Sequence, residues 1–259
     1  MDTAFTENPQ IKNPDEKTHE EYLEGKYLKL LEDVEQGRTT KKEAARQLVD
    51  EHLRQENVAD HDELTGLLNK RGFEKQQMHE LSNLMRHNRE ASLLVVDADY
   101  LKEVNDKLGH DAGSDLLKVV ASVLEECVRA GDLVARYGGD EFTILAQETN
   151  EGGAEILAKR IQEALEKKIK GKYNLLQVAP SLSIGIAKIQ LPHSGISQKQ
   201  PKETIARILE NSAKEAFKLA DNALYQSKMY RNSISTAHPD GTIVTATQNA
   251  DALAEAPRR

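Results

Sequence analysis

The stretch Ser92-Leu93-Leu94-Val95-Val96, closed by Asp97, constrains the fold more than any other feature. Uncharged, without alternation and too short for a helix, it reads as a strand covered on both faces that delivers a carboxylate to its end. Helical periods flank it: Arg71–His87 on one side, and on the other Leu116, Leu117, Val119, Val120, Val123 and Leu124, which continue a helix after Gly113. Leu133–Tyr137 and Phe142–Ala146 are further strand candidates, joined by Gly138-Gly139-Asp140-Glu141, which has the composition of a tight hairpin. A helix over Ala154–Ile169, strands near Leu175–Val178 and Leu182–Ile189, a loop over 191–201 and a helix over Lys202–Lys228 complete the series. Strands and helices interleave without a regular βαβ repeat, which predicts an α+β fold with a sheet packed against helices.

Upstream, residues 1–16 are polar and aperiodic and read as a disordered arm. Residues 17–56 form a helical segment: Tyr22, Leu23, Tyr27, Leu28, Leu30, Leu31 and Val34 recur at helical spacing up to Gly37. Thr40-Lys41-Lys42-Glu43 is then a capping box opening a second helix, with Ala44, Ala45, Leu48, Val49 and Leu53 as its stripe. This segment is expected to regulate the chain or to dimerise it. The main domain is expected over 57–232, and the Thr-, Ala- and Gln-rich stretch 233–259 reads as a disordered tail.

Charge narrows the function. The 35 Lys and Arg against 43 Asp and Glu leave −8, which disfavours a duplex-DNA footprint, and no tryptophan with 4% aromatics disfavours single-strand stacking platforms too. One cysteine, Cys127, forms no intrachain disulfide framework or multi-cysteine zinc site. No apolar run approaches the roughly 20 residues that span a bilayer, so the expectation is a cytoplasmic chain without membrane insertion.

The chemistry sits at two acidic strand ends. If the strand ending at Asp97 neighbours the hairpin, Asp97 and Asp99 converge with Asp140 and Glu141. Hard divalent cations take such oxygen ligands, and Mg²⁺ commonly uses one or two carboxylates beside water and substrate phosphate. Each residue also has a plain structural reading. Asp97 or Asp99 can cap the next helix, Asn105-Asp106 can be a turn pair, His110 a packing residue and Lys228 a solvated helix-end cation.

The wider pattern resembles the GGDEF-domain diguanylate cyclases over about Asp62 to Asn232. Gly138-Gly139-Asp140-Glu141-Phe142 is the family's signature, preceded by Arg136-Tyr137. Asp62-Glu63-Leu64-Thr65-Gly66-Leu67-Leu68-Asn69-Lys70-Arg71 is similar to its entry motif, and Asp97-Ala98-Asp99-Tyr100-Leu101-Lys102-Glu103-Val104-Asn105-Asp106 to its metal-and-base strand. Gly109-His110-Asp111-Ala112-Gly113, Ser183-Ile184-Gly185-Ile186 and Ala220-Asp221-Asn222-Ala223-Leu224-Tyr225 resemble three further elements in the family's order.

The resemblance implies a palm-like nucleotidyl cyclase fold with a mainly antiparallel sheet. It also implies a homodimer in which each subunit's GTP attacks the other's, giving cyclic di-GMP and two pyrophosphates. Mg²⁺ or Mn²⁺ would be held by Asp97, Asp140 and the Ala98 carbonyl, with Asp140 as general base and Glu141 on a second metal. Lys102 and Lys228 would meet phosphates, Asn105 the base and His110 the substrate, with Gly138 and Gly139 letting backbone approach it. Arg129-Ala130-Gly131-Asp132, five residues ahead of Gly138, matches a product-inhibition site for cyclic di-GMP, which Arg160 would complete.

Two departures stand out. Ser114 occupies the place where the family reads guanine with aspartate, and Asp115 lies one place late, about 100° round a helix. Lys228-Met229-Tyr230-Arg231-Asn232 lacks the glycine that the family has before arginine, which counts against a phosphate role for Arg231. Serine serves either purine, so a promiscuous cyclase that also takes ATP to make cyclic GMP-AMP is one alternative. An inactive cyclic di-GMP receptor built on Arg129 and Asp132 is the other.

Overall fold

The computed structural model describes residues 14–192 and 201–247. The chain divides into two compact units, 1–57 and 58–259. In the first, α1 spans Pro14–Glu35, and α2, Lys41–Asp60, continues past the boundary. The helix starts three residues before the expected Lys17, because proline fits a first helical turn where no backbone N–H is needed. Residues 1–13 of the expected arm lie outside the described residues. Gly37, at φ 68°, makes the turn, and the capping box forms: Glu43 N–H donates to Thr40 Oγ1 at 3.2 Å and Thr40 N–H to Glu43 Oε2 at 3.1 Å. Tyr27, Leu28 and Leu31 of α1 and Val49 of α2 stand exposed.

The second unit is built on a seven-stranded sheet. Its elements are β1 (Leu68–Asn69), α3 (Lys70–Arg86), β2 (Ala91–Asp99), α4 (Leu101–Leu108), α5 (His110–Cys127), β3 (Leu133–Arg136), β4 (Glu141–Gln147), α6 (Glu151–Ile169), β5 (Ser181–Lys188), α7 (Lys202–Tyr230), β6 (Ser233–Ala237) and β7 (Ile243–Thr247). The strand order is β1-β3-β4-β2-β5-β6-β7. β2 runs antiparallel to both neighbours, β4 and β5, and only β1/β3 and β5/β6 pair in parallel.

Every residue of β2 is buried, and the period of two divides its side chains between two cores. Leu94 and Val96 join Leu116, Val120, Val123, Leu157 and Ile161 of α5 and α6. Leu93 and Val95 join Phe73, Leu81, Leu209, Ala216 and Leu224 of α3 and α7. Asp97 and Asp99 continue this second row, towards the end of α7. That helix lies so close on β5 that a Cβ on Gly185 would stand 2.0 Å from the Ala220 carbonyl oxygen and 2.3 Å from the Leu224 nitrogen.

Two expectations are corrected. Residues 175–178 form no strand: Leu175 and Val178 are 81% and 52% exposed, and only Leu176 packs against the core. The stretch from Ser233 is not disordered up to Thr247, because β6 adds to β5 and turns back as β7. Its serines are paired rather than hydrated. Ser233 Oγ donates to the Ser227 carbonyl at 2.8 Å, and Ser235 Oγ lies 2.8 Å from Thr245 Oγ1. Residues 193–200, in the expected loop, and 248–259 lie outside the described residues.

Candidate active site

The hairpin after β3 closes with Tyr137 and Gly138 N–H donating to the Glu141 carbonyl at 2.8 and 3.2 Å. Arg136 fixes its tip, donating to the Gly139 carbonyl through Nη2 at 2.7 Å and to Asp62 through Nη1 at 3.1 Å. That clamp between the entry motif and the hairpin has no sign in local sequence. Across the sheet Asp97 pairs in register with Glu141, and Ala98 N–H donates to the Asp140 carbonyl at 3.0 Å. The two acidic strand ends therefore meet.

A cleft of about 510 Å³ opens there, lined by Asp97, Ala98, Lys102, Asp140 and Lys228, together with Tyr100 and Arg231. Asp97 is 3% exposed. Lys228 Nζ stands 2.6 Å from its Oδ2 as an ion pair, and among the described residues no other donor reaches this buried oxygen. Burial pushes the Asp97 carboxyl up to about 6 against the pull of Lys228, and the charges of Asp140 and Asp99 push the same way.

Asp99 caps no helix. It accepts from Ser181 Oγ at 2.8 Å, Ser183 Oγ at 2.9 Å, Arg231 Nη1 at 2.7 Å and the Asn232 N–H at 3.1 Å, while the residue ahead of α4 is Tyr100, at φ 65° and with no side-chain cap. Arg231, discounted because its glycine is missing, stands in the cleft wall with Nη1 3.7 Å from Asp97 Oδ1.

The atoms the cleft offers a cation are oxygens: the Asp97 and Asp140 carboxylates and the Ala98 carbonyl, with Glu103 and Asp106 also on its wall. They suit Mg²⁺ or Mn²⁺ completed by substrate phosphate, and the Asp97 oxygen that only Lys228 meets is what such an ion would use. Among the described residues no group of three or more His, Cys, Asp or Glu stands ready as a complete metal cage. Glu141 is not on the cleft wall; its Oε2 would lie 3.0 Å from a Cβ on Gly138.

Farther along, Asn105 lies against Gly113, where a Cβ would sit 1.9 Å from its Oδ1, so the glycine is what admits this amide beside Ser114. Asp115 does not replace the absent carboxylate: it is 74% exposed, 3.6 Å from Lys118. His110 is exposed at the start of α5, away from the cleft lining.

The Arg129 turn forms a separate corner. Arg129, Asp132 and Arg160 border one cavity of about 280 Å³. Both Asp132 oxygens are occupied by backbone, accepting from Arg129 N–H and Gln147 N–H, each at 2.9 Å, and Arg160 donates to the Cys127 carbonyl.

Comparison with known proteins converges on this arrangement. A sequence model described as "Diguanylate cyclase, GGDEF domain" matches residues 59–233. Diguanylate cyclase DgcM of Escherichia coli is 36% identical over 178 residues, 67% of this chain and 37% of that protein. Probable diguanylate cyclase DgcC of the same organism is 30% identical over 72% of this chain and 45% of its own length. Cyclic di-GMP phosphodiesterase NbdA of Pseudomonas aeruginosa is 30% identical over 78% of this chain but 23% of its own. The chain thus spans less than half the length of these curated relatives. Among solved structures, the coiled coil and GGDEF domain of DgcB from Caulobacter crescentus, in complex with c-di-GMP, superposes with a TM-score of 0.61 at 25% identity, over 79% of this chain and all of that one. No described helix is long and apolar enough to cross a membrane. The register that joins Asp97 to the glycine hairpin and the family match over the same residues agree, and the chain belongs to the GGDEF diguanylate cyclase family.

Proposed function

We propose that this chain is a diguanylate cyclase acting in the cytoplasm as a homodimer, each subunit presenting one GTP to the other. The carrying observation is the buried Asp97 carboxylate, paired with Lys228 and set beside Asp140 in one cleft. A receptor that only bound product would have no use for so costly an arrangement. Each 3′-hydroxyl attacks the partner's α-phosphate, pyrophosphate leaves, and Asp140 takes the hydroxyl proton. Lys228 exchanges the Asp97 carboxylate for a phosphate when the cleft fills, and exposed Lys102 reaches the outer phosphates. Asn105 contacts the base. A bound divalent ion supplies charge neutralisation at the phosphates. The exposed Tyr27, Leu28 and Leu31 suit α1 to dimerisation, which would let residues 17–56 set the facing geometry.

Arg129 and Arg160 are proposed to bind cyclic di-GMP as feedback inhibitor, since they border one cavity. Asp132 then serves mainly to hold the Arg129 turn. Ser114 favours a second reading, mixed use of GTP and ATP, because Asp115 points to solvent and brings no carboxylate to the base. Incubation with GTP and Mg²⁺ followed by chromatography tests the main reading. Cyclic di-GMP and pyrophosphate are expected, and absence of any cyclic dinucleotide overturns it.

A further inference from the structure

Asp99 has no part in the proposed catalytic set, yet it is a fully buried carboxylate on which four donors converge. With both oxygens engaged it has no room for a metal. Two of its donors, Ser181 and Ser183, come from the neighbouring strand β5 and fix its orientation. The other two belong to consecutive residues just beyond α7: the Arg231 guanidinium and the Asn232 backbone N–H.

That turn has an unusual backbone. α7 ends with Arg231 N–H donating to the Ser227 carbonyl at 3.0 Å. Arg231 then takes φ 52° and ψ 158°, a region that is essentially glycine's, and Asn232 follows at φ 45°. Side-chain-bearing residues hold such conformations only where their surroundings over-determine them. Here the surroundings are Asp99. The same contacts set the direction of the guanidinium, which lies 5.7 Å from the centroid of the Tyr100 ring and borders the cleft beside Lys228.

We propose that Asp99 is a positioning residue: its carboxylate clamps the Arg231-Asn232 turn in a backbone conformation that a glycine would otherwise supply, and so aims the Arg231 guanidinium at phosphate in the cleft. The identity of that phosphate as GTP's rests on the cyclase reading; the clamp itself does not. Charge-assisted bonds to a planar guanidinium fix orientation as well as energy, so removing the charge at residue 99 releases Arg231 without touching the ligand.

The test is binding of inorganic pyrophosphate with Mg²⁺, a probe that needs no turnover, to the full chain, alongside GTP kinetics and thermal melting. Asp99→Asn and Arg231→Ala are each expected to weaken pyrophosphate binding about tenfold and to raise KM for GTP more than they lower kcat. The double variant is expected to bind no more weakly than Arg231→Ala alone. Additive losses, roughly a hundredfold in the double variant, or unchanged binding in a folded Asp99→Asn, overturn the proposal. Should Asp99→Asn not fold, Ser181→Ala removes one donor and keeps the charge. It is expected to weaken binding two- to threefold, about the effect of one neutral hydrogen bond, and only while Arg231 is present. An equal loss in both backgrounds refutes the clamp. Non-additive pyrophosphate binding in a chain that makes no cyclic dinucleotide would keep the clamp and sink the cyclase reading; cyclisation with additive losses would do the reverse.

Discussion

The cleft and the Arg129 corner both join arginine to aspartate, but in opposite ways. At the cleft end of β2, Asp97 and Asp99 are buried and side-chain cations pair with them: Lys228 at 2.6 Å from Asp97, and Arg231 at 2.7 Å from Asp99, which also accepts the Asn232 N–H. At the corner Asp132 gives both oxygens to backbone N–H groups. Among the described residues, the Arg129 guanidinium has no ion-pair partner. The Lys228 ammonium can be redistributed when a charged ligand arrives, whereas backbone donors cannot, and Asp99 keeps its hold on Arg231. The cleft is therefore built to exchange charge, and the corner to hold a rigid turn from which an arginine projects.

The sharpest way to break this contrast is to titrate it. Asp97 is held near 6 when folded, against about 3.8 for a free aspartyl side chain. Below about pH 4 it is protonated in both states and contributes nothing. Between 4 and 6 the unfolded chain releases the proton while the folded one keeps it, so stability falls as pH rises. Above 6 the full cost, of order 3 kcal/mol, is present. Metal-free protein should gain melting temperature as pH drops from 6 to 4, with that slope missing in Asp97→Asn. Added Mg²⁺ should restore stability at pH 7.5 but little at pH 5. The Asp60 and Asp62 carboxyls do not confuse this window. Burial pushes each up, but Lys75 and Arg71 outweigh it at Asp60, as do Thr65 and Arg136 at Asp62. Both are thereby lowered, so their contribution is present above about 3.8 and is lost only as pH falls below that.

A smaller effect separates the two regions mechanically. Gly185→Ala would push α7 away from β5, costing about 1–3 kcal/mol by overpacking and displacing Lys228 from Asp97. Turnover should drop with melting temperature, while cyclic di-GMP binding to the folded fraction at the Arg129 corner should persist. Equal loss of both would show that the corner is not independent.

The legible parts of the sequence were those with a local cause. The uncharged run of β2 announced a strand covered on both faces, and the hairpin glycines announced its partner. Gly185 and the Ala220–Leu224 stretch were quoted as separate motifs, and the structure shows them to be one contact seen from two sides. Asp99 read as a helix cap because its partners Ser181, Ser183, Arg231 and Asn232 are more than 80 residues away, beyond any local pattern. Ser233–Ala237 reads as part of a disordered tail because the stretch is rich in Thr, Ala and Gln, although in place its serines hydrogen-bond to Ser227 and Thr245 and lie buried. Leu175 and Val178 misled in the other direction, as apolar residues left exposed.

The smallest effect concerns base choice. A charge-assisted pair exceeds a neutral hydrogen bond by roughly 1 kcal/mol, so Ser114→Asp should sharpen GTP preference about fivefold. With equal GTP and ATP, the wild type should give some cyclic GMP-AMP and the variant much less. Cyclic di-GMP alone from both would remove Ser114 from selectivity.

The most direct test compares initial rates and late yields of cyclic di-GMP from GTP and Mg²⁺ for wild type, Asp140→Asn and Arg129→Ala. Asp140→Asn is expected to lose about a thousandfold in initial rate, as for other groups that act on developing charge. Arg129→Ala is expected to start at the wild-type rate and to accumulate more product late. Substantial turnover by Asp140→Asn, or an Arg129→Ala rate that collapses from the start, would contradict the assignment of chemistry to the cleft and restraint to the corner.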